Sequence, residues 1–221
     1  MEVKNRIFNW LSELKEKEAL VEVIGFYQEL PIRVKTKLLD FDENFLQWEY
    51  NPKLYLTASD DGKFFFYFND PLYREKRLLG ADVTYYGNSF IETTFPKPFS
   101  DPRFGRQIVR VTTSEKFPVK FYLLSESGKE IALPVRDISE EGVGVVGEKD
   151  LFKVGEPIDL KLVLPRGELS LRGKVVSSES MGDKNRFGIK FSIREREKKL
   201  LRDYVMARQK EILSKIRDLV E

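Results

Sequence analysis

Apolar residues along the chain follow two rhythms. Ile7, Phe8, Trp10, Leu11 and Leu14 recur at helical spacing, which predicts a short amphipathic helix over residues 3–17. The rhythm then shortens. Residues 21–27, 32–39 and 45–50 are β-rich runs separated by turn formers, the pattern of successive strands. Asp60-Asp61-Gly62 reads as a hairpin turn leading into 64–68, and Gly87-Asn88 joins 83–86 to 90–95. The run 64–68, Phe-Phe-Phe-Tyr-Phe, is apolar on both strand faces. It is either a surface for a partner or, in the reading we prefer, a central strand covered on both sides. These runs predict a small, mostly antiparallel β domain with one leading helix.

A break follows at Phe95-Pro-Lys-Pro-Phe-Ser-Asp-Pro-Arg-Phe-Gly105. Its three prolines remove backbone donors and disfavour helix at the residues before them. We read 99–105 as an extended linker between a first domain over 1–98 and a second over 106–221. Beyond it, short strands are expected at 108–112, 119–124, 131–137, 142–146, 158–164, 169–177 and 187–192, with turns at Ser127-Gly128 and Pro165-Arg166-Gly167. Close, regular spacing of this kind predicts a closed β-barrel, which removes exposed sheet edges. Residues 194–220 contain no Gly or Pro and are expected to be helical, with Leu201, Val205, Ile212, Ile216 and Leu219 on one side. That stripe either packs on its own barrel or pairs with the same helix of a second copy.

Composition removes whole classes of chemistry. The 221 residues include no cysteine and no histidine. Disulfides, thiolate nucleophiles, cysteine-ligated zinc, imidazole bases and Ser-His-Asp triads are therefore excluded. No paired carboxylates with a recognisable motif and no Gly-rich phosphate loop emerge, so we expect no enzyme, no cofactor and no metal. The apolar runs are too short to span a membrane, and the charged amino terminus does not resemble a secretory signal. A cytoplasmic location is the expectation.

The net charge of +2 hides an asymmetry. Residues 1–98 carry 13 Lys and Arg against 16 Asp and Glu, whereas 103–136 carry seven basic residues against three acidic. A local basic excess suits an anionic partner. Within it lie two short motifs. Arg106-Gln-Ile-Val-Arg110 has the form RxxxR, and Asp137-Ile-Ser-Glu-Glu-Gly142 has the form DxSxxG. Guanidinium groups donate in a planar fork suited to phosphate oxygens and to the O6/N7 edge of guanine. Asp137 can accept from the N–H donors on guanine's other edge, Ser139 can donate and accept, and Gly142 permits a close backbone approach. Read as ordinary structure, the same residues are a capped turn and two solvated arginines.

The order and separation of these motifs resemble the PilZ domain family, bacterial receptors for cyclic di-GMP. The resemblance covers about 103–195. It takes in RxxxR, Pro134-Val-Arg-Asp-Ile-Ser-Glu-Glu-Gly142, the Val154-Gly155-Glu-Pro approach to a strand, Leu162-Val-Leu-Pro165, Gly173-Lys-Val-Val176 and Arg186-Phe-Gly-Ile-Lys-Phe191 before a helix. It implies a six-stranded barrel with a C-terminal helix. It also implies that Arg106 and Arg110 grip phosphates and the guanine Hoogsteen edge, with Asp137, Ser139 and Gly142 as a guanine-facing shelf. Family members often carry another basic residue just before RxxxR. Here that position is Gly105, with Arg103 two residues earlier, and Arg103 is counted among the candidate contacts.

The two-domain layout is similar to the flagellar-brake group, in which the N-terminal half is split-barrel-like and nucleotide level is coupled to motility. That likeness implies a protein partner, in the flagellar motor by analogy. Because Arg106 lies next to the joint, a dianionic ligand that orders it is expected to change the interdomain arrangement. The competing reading is a nucleic-acid-binding β-barrel, since basic residues, exposed aromatics and a barrel also serve single-strand binders.

Overall fold

In the computed structural model, which describes residues 2–125 and 128–219, helix α1 (Val3–Glu16) forms where the spacing of Ile7 and Leu11 requires it, and both side chains are buried. The chain divides into two units, one built on residues up to Gly105 and one on Arg106–Lys215, with residues from Ile216 grouped with the first. The division leaves 99–105 with the first unit.

The first unit continues with β1 (Leu20–Tyr27), β2 (Leu30–Phe41), β3 (Phe45–Glu49), α2 (Pro52–Asp60), β4 (Lys63–Asp70), β5 (Glu75–Tyr86), β6 (Phe90–Thr94) and β7 (Lys97–Pro98). Six strands pair in the order β4-β1-β2-β3-β6-β5, and β4 pairs with β5 to close the ring. Every ladder is antiparallel. Closure leaves no free edge within the ring.

Strand β4 is buried on both faces. Phe66 and Phe68 meet Trp10 of α1, and Phe66 also meets Trp48 of β3. On the other face Phe65 packs against Phe26, Phe99 and Phe104, with ring centroids 5.9, 5.8 and 5.2 Å away. Two of these rings belong to the segment expected to be an extended linker. That segment is folded instead. Strand β7 pairs with β5, Pro102–Gly105 forms a 3-10 turn, and Phe99 and Phe104 cover the outer face of β4. The aromatic side chains of this proline-rich segment hold its backbone against the unit.

A second correction concerns Asp60-Asp61-Gly62. It is the end of α2 rather than a hairpin turn: the Asp61 N–H donates to Thr57 O, and Gly62 adopts φ +67°. The start is marked by Asn51, whose side chain accepts from the Lys53 N–H, and by Pro52 at the first helical position. Gly25 admits the helix, because a Cβ there would collide with the Thr57 side chain.

The second unit contains β8 (Val111–Thr112), β9 (Lys120–Leu124), β10 (Glu130–Leu133), β11 (Val135–Ile138), β12 (Gly142–Glu148), β13 (Pro157–Leu164), β14 (Gly167–Met181), β15 (Lys184–Ser192) and, up to Lys215, α3 (Glu195–Asp218). Its sheet runs β10-β9-β13-β14-β15-β12-β11-β8. Among the described residues the strands of this sheet therefore number eight rather than six. The expected 131–137 strand divides at Pro134, which has no N–H for a ladder. No ladder joins β10 to β8 among the described residues. Ring closure by backbone pairing is thus a property of the first unit, and the second is a curved half-barrel sheet with a long helix. Pro165-Arg166 makes the turn between β13 and β14. Of the other expected turn, Ser127 lies outside the described residues, while Gly128 has φ +78° and donates its N–H to Ser125 O.

Helix α3 buries Leu201, Val205, Ile212 and Ile216, whereas Leu219 lies past its end and is exposed. It is fixed by polar contacts as well. The Tyr204 O–H donates to Phe117 O at 2.7 Å, and Nε of the buried Arg208 donates to Thr112 O at 2.9 Å. Burial pushes the Tyr204 phenol up to about 12, so the group stays a donor throughout neutral pH.

Candidate functional site

One ladder brings the two motifs together. Strand β8, which begins immediately after Arg110, pairs antiparallel with β11, placing Val111 opposite Ile138 and Thr112 opposite Asp137. Arg106–Arg110 itself is irregular backbone, and only Val111 and Thr112 of the expected 108–112 strand are paired. The RxxxR arginines therefore sit on a loop at the sheet's edge, next to the strand that opens DxSxxG.

The DxSxxG turn is built by its own polar atoms. The Ser139 N–H donates to Gly142 O at 2.9 Å, while its hydroxyl lies 3.3 Å from both Gly142 O and the Glu141 N–H. Gly142 is opposite Lys190, and a Cβ there would lie 2.5 Å from the Ile189 carbonyl oxygen. The glycine is required because β15 comes so close. It is not required by a left-handed φ.

Arg106, Arg110, Ser139, Glu141, Gly142 and Lys190 line one cavity of about 330 Å³. Val176 contributes to the apolar part of the wall, with Ile108, Val143 and Ile189. Its exposure follows from a bulge in β14, where the ladder with β15 slips between Val175 and Ser177. Three cationic side chains and one carboxylate thus face a single concave space, an arrangement suited to an anion that also carries hydrogen-bonding edges. Among the described residues, no group of three acidic side chains is placed to hold a metal ion.

Asp137 occupies a different position from the guanine shelf expected of it. Another bulge, between Val135 and Asp137, accompanies its turn inward, and it is 2% exposed. Arg186 of β15 grips both carboxylate oxygens, with Nε 3.0 Å from Oδ2 and Nη2 2.9 Å from Oδ1. Arg110 Nη1 stands 3.5 Å from the same Oδ1. Gly144 makes this possible. It lies opposite Asp137 in the ladder, and a Cβ would come within 2.5 Å of Asp137 Oδ2 and 2.8 Å of Arg186 Nη2. The carboxylate does not line the cavity. It holds Arg110, which does.

Arg103 is engaged elsewhere. Its guanidinium lies over the Phe26 ring at 3.8 Å, and donates to Asp61 at 2.7 Å and to Asp101 at 2.8 Å. Burial works against its charge, but the hydrogen bonds to Asp101 and Asp61 more than offset this and hold its pKa above the ordinary arginine value. All of these partners belong to the first unit.

The two glutamates inside DxSxxG, Glu140 and Glu141, are tied to α3. Lys198 Nζ donates to Glu141 Oε1 at 2.9 Å, and Arg202 Nε donates to Glu140 Oε2 at 2.8 Å. The Lys198 hydrogen bond, opposed by partial burial and reinforced by the charges of Lys198 and Lys190, holds the Glu141 carboxyl below the usual carboxylate range. Arg186, Gly144, Glu141 and Lys190 were not among the site residues expected from the sequence. The signals were present: Glu141 lies inside DxSxxG, and Arg186 opens the Arg-Phe-Gly run. No sequence period marks which positions across a ladder face one another.

An uncharacterized protein of Aquifex aeolicus (strain VF5) is 29% identical over 210 residues, covering 87% of this chain and 89% of that protein. Among solved structures, YcgR from Escherichia coli in complex with c-di-GMP is similar with a TM-score of 0.49 at 11% identity, covering 98% of this chain and 95% of that one. The Bacillus subtilis inhibitor of motility MotI/DgrA gives 0.43 at 17% identity, covering 87% and 96%. The PilZ domain matches residues 96–207, a span that contains both motifs and the cavity they line. The chain therefore belongs to the PilZ domain family.

Proposed function

We propose that the second unit is a receptor for cyclic di-GMP, and that it signals rather than catalyses. The observation that carries this reading is the shared cavity: Arg106 and Arg110 line it together with Ser139 and Gly142 of the second motif. A cyclic dinucleotide has two anionic phosphodiesters and two guanine edges. Charge-assisted bonds from guanidinium forks to such groups are short and about twice as strong as neutral ones. Arg106 and Arg110 take the phosphates and the Hoogsteen edge of a guanine, as the family resemblance implies. Asp137, which Arg110 shares with Arg186, acts through Arg110.

Output is proposed to pass to a protein partner. The ligand draws in Arg106, the first residue of the second unit, and changes the arrangement of the two units by its difference in affinity between arrangements. Action on motility and a cytoplasmic setting belong to the same proposal. Among the described residues, no helix is long and apolar enough to cross a membrane. Pairing of α3 with a second copy is a separate proposal, resting on the exposure of Met206 and Leu213.

The test is a calorimetric titration of the full chain with cyclic di-GMP, with GTP and a single-stranded oligonucleotide as controls. Saturable binding of cyclic di-GMP with little response to either control is expected. Indifference among the three, with steep salt dependence, would instead indicate a nucleic-acid binder. A small-angle scattering profile unchanged by ligand would remove the proposed rearrangement and leave the binding intact.

A further inference from the structure

The binding cavity contains a carboxylate that a phosphate site alone does not explain. Glu141 lines it together with Arg106, Arg110 and Lys190. Next to two phosphodiesters a negative side chain is repulsive, and the cost is largest where water is partly excluded. Such a group improves binding only if it meets a donor edge. Guanine has one: N1–H and the N2 amino group lie side by side on its Watson–Crick face and match the two oxygens of a carboxylate. Adenine presents an unprotonated N1 at the same place, which a carboxylate repels.

Asp137, the other acid of the motif, is poorly placed for this task, because both its oxygens already accept from Arg186 and it does not line the cavity. Glu141 is placed for it. Its side chain is 33% exposed, and its Oε1 receives Lys198 at 2.9 Å. Its own N–H is 3.3 Å from Ser139 Oγ, which fixes the backbone that carries it. A lysine donor on one oxygen leaves carboxylate lone pairs for two further N–H groups. The ion pair also keeps the group ionised and therefore acceptor-only, consistent with its lowered pKa.

Resting on the cyclic di-GMP reading above, we propose that Glu141, held by Lys198, reads the Watson–Crick edge of a bound guanine and makes the cavity select guanine over adenine dinucleotides. Lys198 is a positioning residue and does not itself contact the base.

The experiment measures the affinities of cyclic di-GMP and cyclic di-AMP for the wild-type chain and for Glu141→Gln, which is isosteric and sits in a partly exposed turn. The wild type is expected to favour cyclic di-GMP. In the variant that preference should shrink by about 5- to 150-fold, the range for one bidentate base contact, mainly through weaker cyclic di-GMP binding. Lys198→Ala, which keeps the carboxylate and frees it, should shrink the preference in the same direction by less. A Glu141→Gln variant that keeps the wild-type preference, or binds cyclic di-GMP more tightly, overturns the assignment while the receptor reading stands. A wild-type chain that binds neither dinucleotide overturns both.

Discussion

In the first unit one guanidinium, Arg103, serves two carboxylates, Asp61 and Asp101. In the second, one carboxylate, Asp137, is shared by two guanidiniums, Arg186 and Arg110. The two clusters are separated by few residues at their closest arginines and contain the same chemical groups. An incoming phosphate near Arg103 would meet the repulsion of two aspartates. Near Arg110 it would meet one aspartate already matched by Arg186. Closeness of an arginine to a binding motif therefore says little about its role. What decides is how many opposite charges the fold has already set against it.

The comparison breaks most sharply at Asp137. Replacing it with alanine would take from Arg186, which is 8% exposed, the carboxylate that it grips through both oxygens. The expected loss of stability is about 3–5 kcal/mol, measured by denaturant unfolding. A loss below about 1 kcal/mol, the range of surface pairs, would mean that the cluster does not organise the second unit. Gly144→Ala probes the same cluster through space. A methyl group there meets both Asp137 and Arg186, and we expect a cost of about 1–3 kcal/mol as in other overpacked sites. An unchanged unfolding midpoint would show that the pair has room to move.

The smallest effect belongs to the Glu141–Lys198 pair, whose side chains are 33% and 22% exposed. Glu141→Gln should cost less than about 1 kcal/mol at pH 7. Its carboxyl is held below the usual range, so this contribution is present above the unfolded value of about 4.3 and disappears as the pH falls through the lower folded value. Wild type and variant should converge in stability in that acid window. A difference that persists there would assign the effect to packing rather than charge.

Much of the fold is legible in the sequence because it is written in local periods. The helical spacing of Ile7 and Leu11, the two-faced Phe64 to Phe68 run and the Pro165-Arg166 turn all appear where expected. The failures have two causes. Asn51-Pro52 starts a helix in a stretch otherwise rich in strands, and Phe99 and Phe104 fold a proline-rich segment onto β4. In the second, contacts with distant residues outweighed the local signal; in the first, the local cap at Asn51-Pro52 was itself the signal. The site divides in the same way. The motif residues Arg106, Arg110, Ser139 and Gly142 are recognisable in order, and the structure gathers them in one cavity. Arg186 is 49 residues from the aspartate it binds, and only the pairing of β12 with both β11 and β15 brings them together.

The contrast between the two clusters is tested most directly by titrating cyclic di-GMP into Arg110→Ala and Arg103→Ala side by side. Truncating one member of a desolvated charge pair costs about 2–5 kcal/mol of binding, so Arg110→Ala should lose at least about 30-fold in affinity. Arg103→Ala should stay within about threefold of the wild type, its cost falling on the stability of the first unit instead. Equal losses in the two variants, or a larger loss at Arg103, would contradict the account.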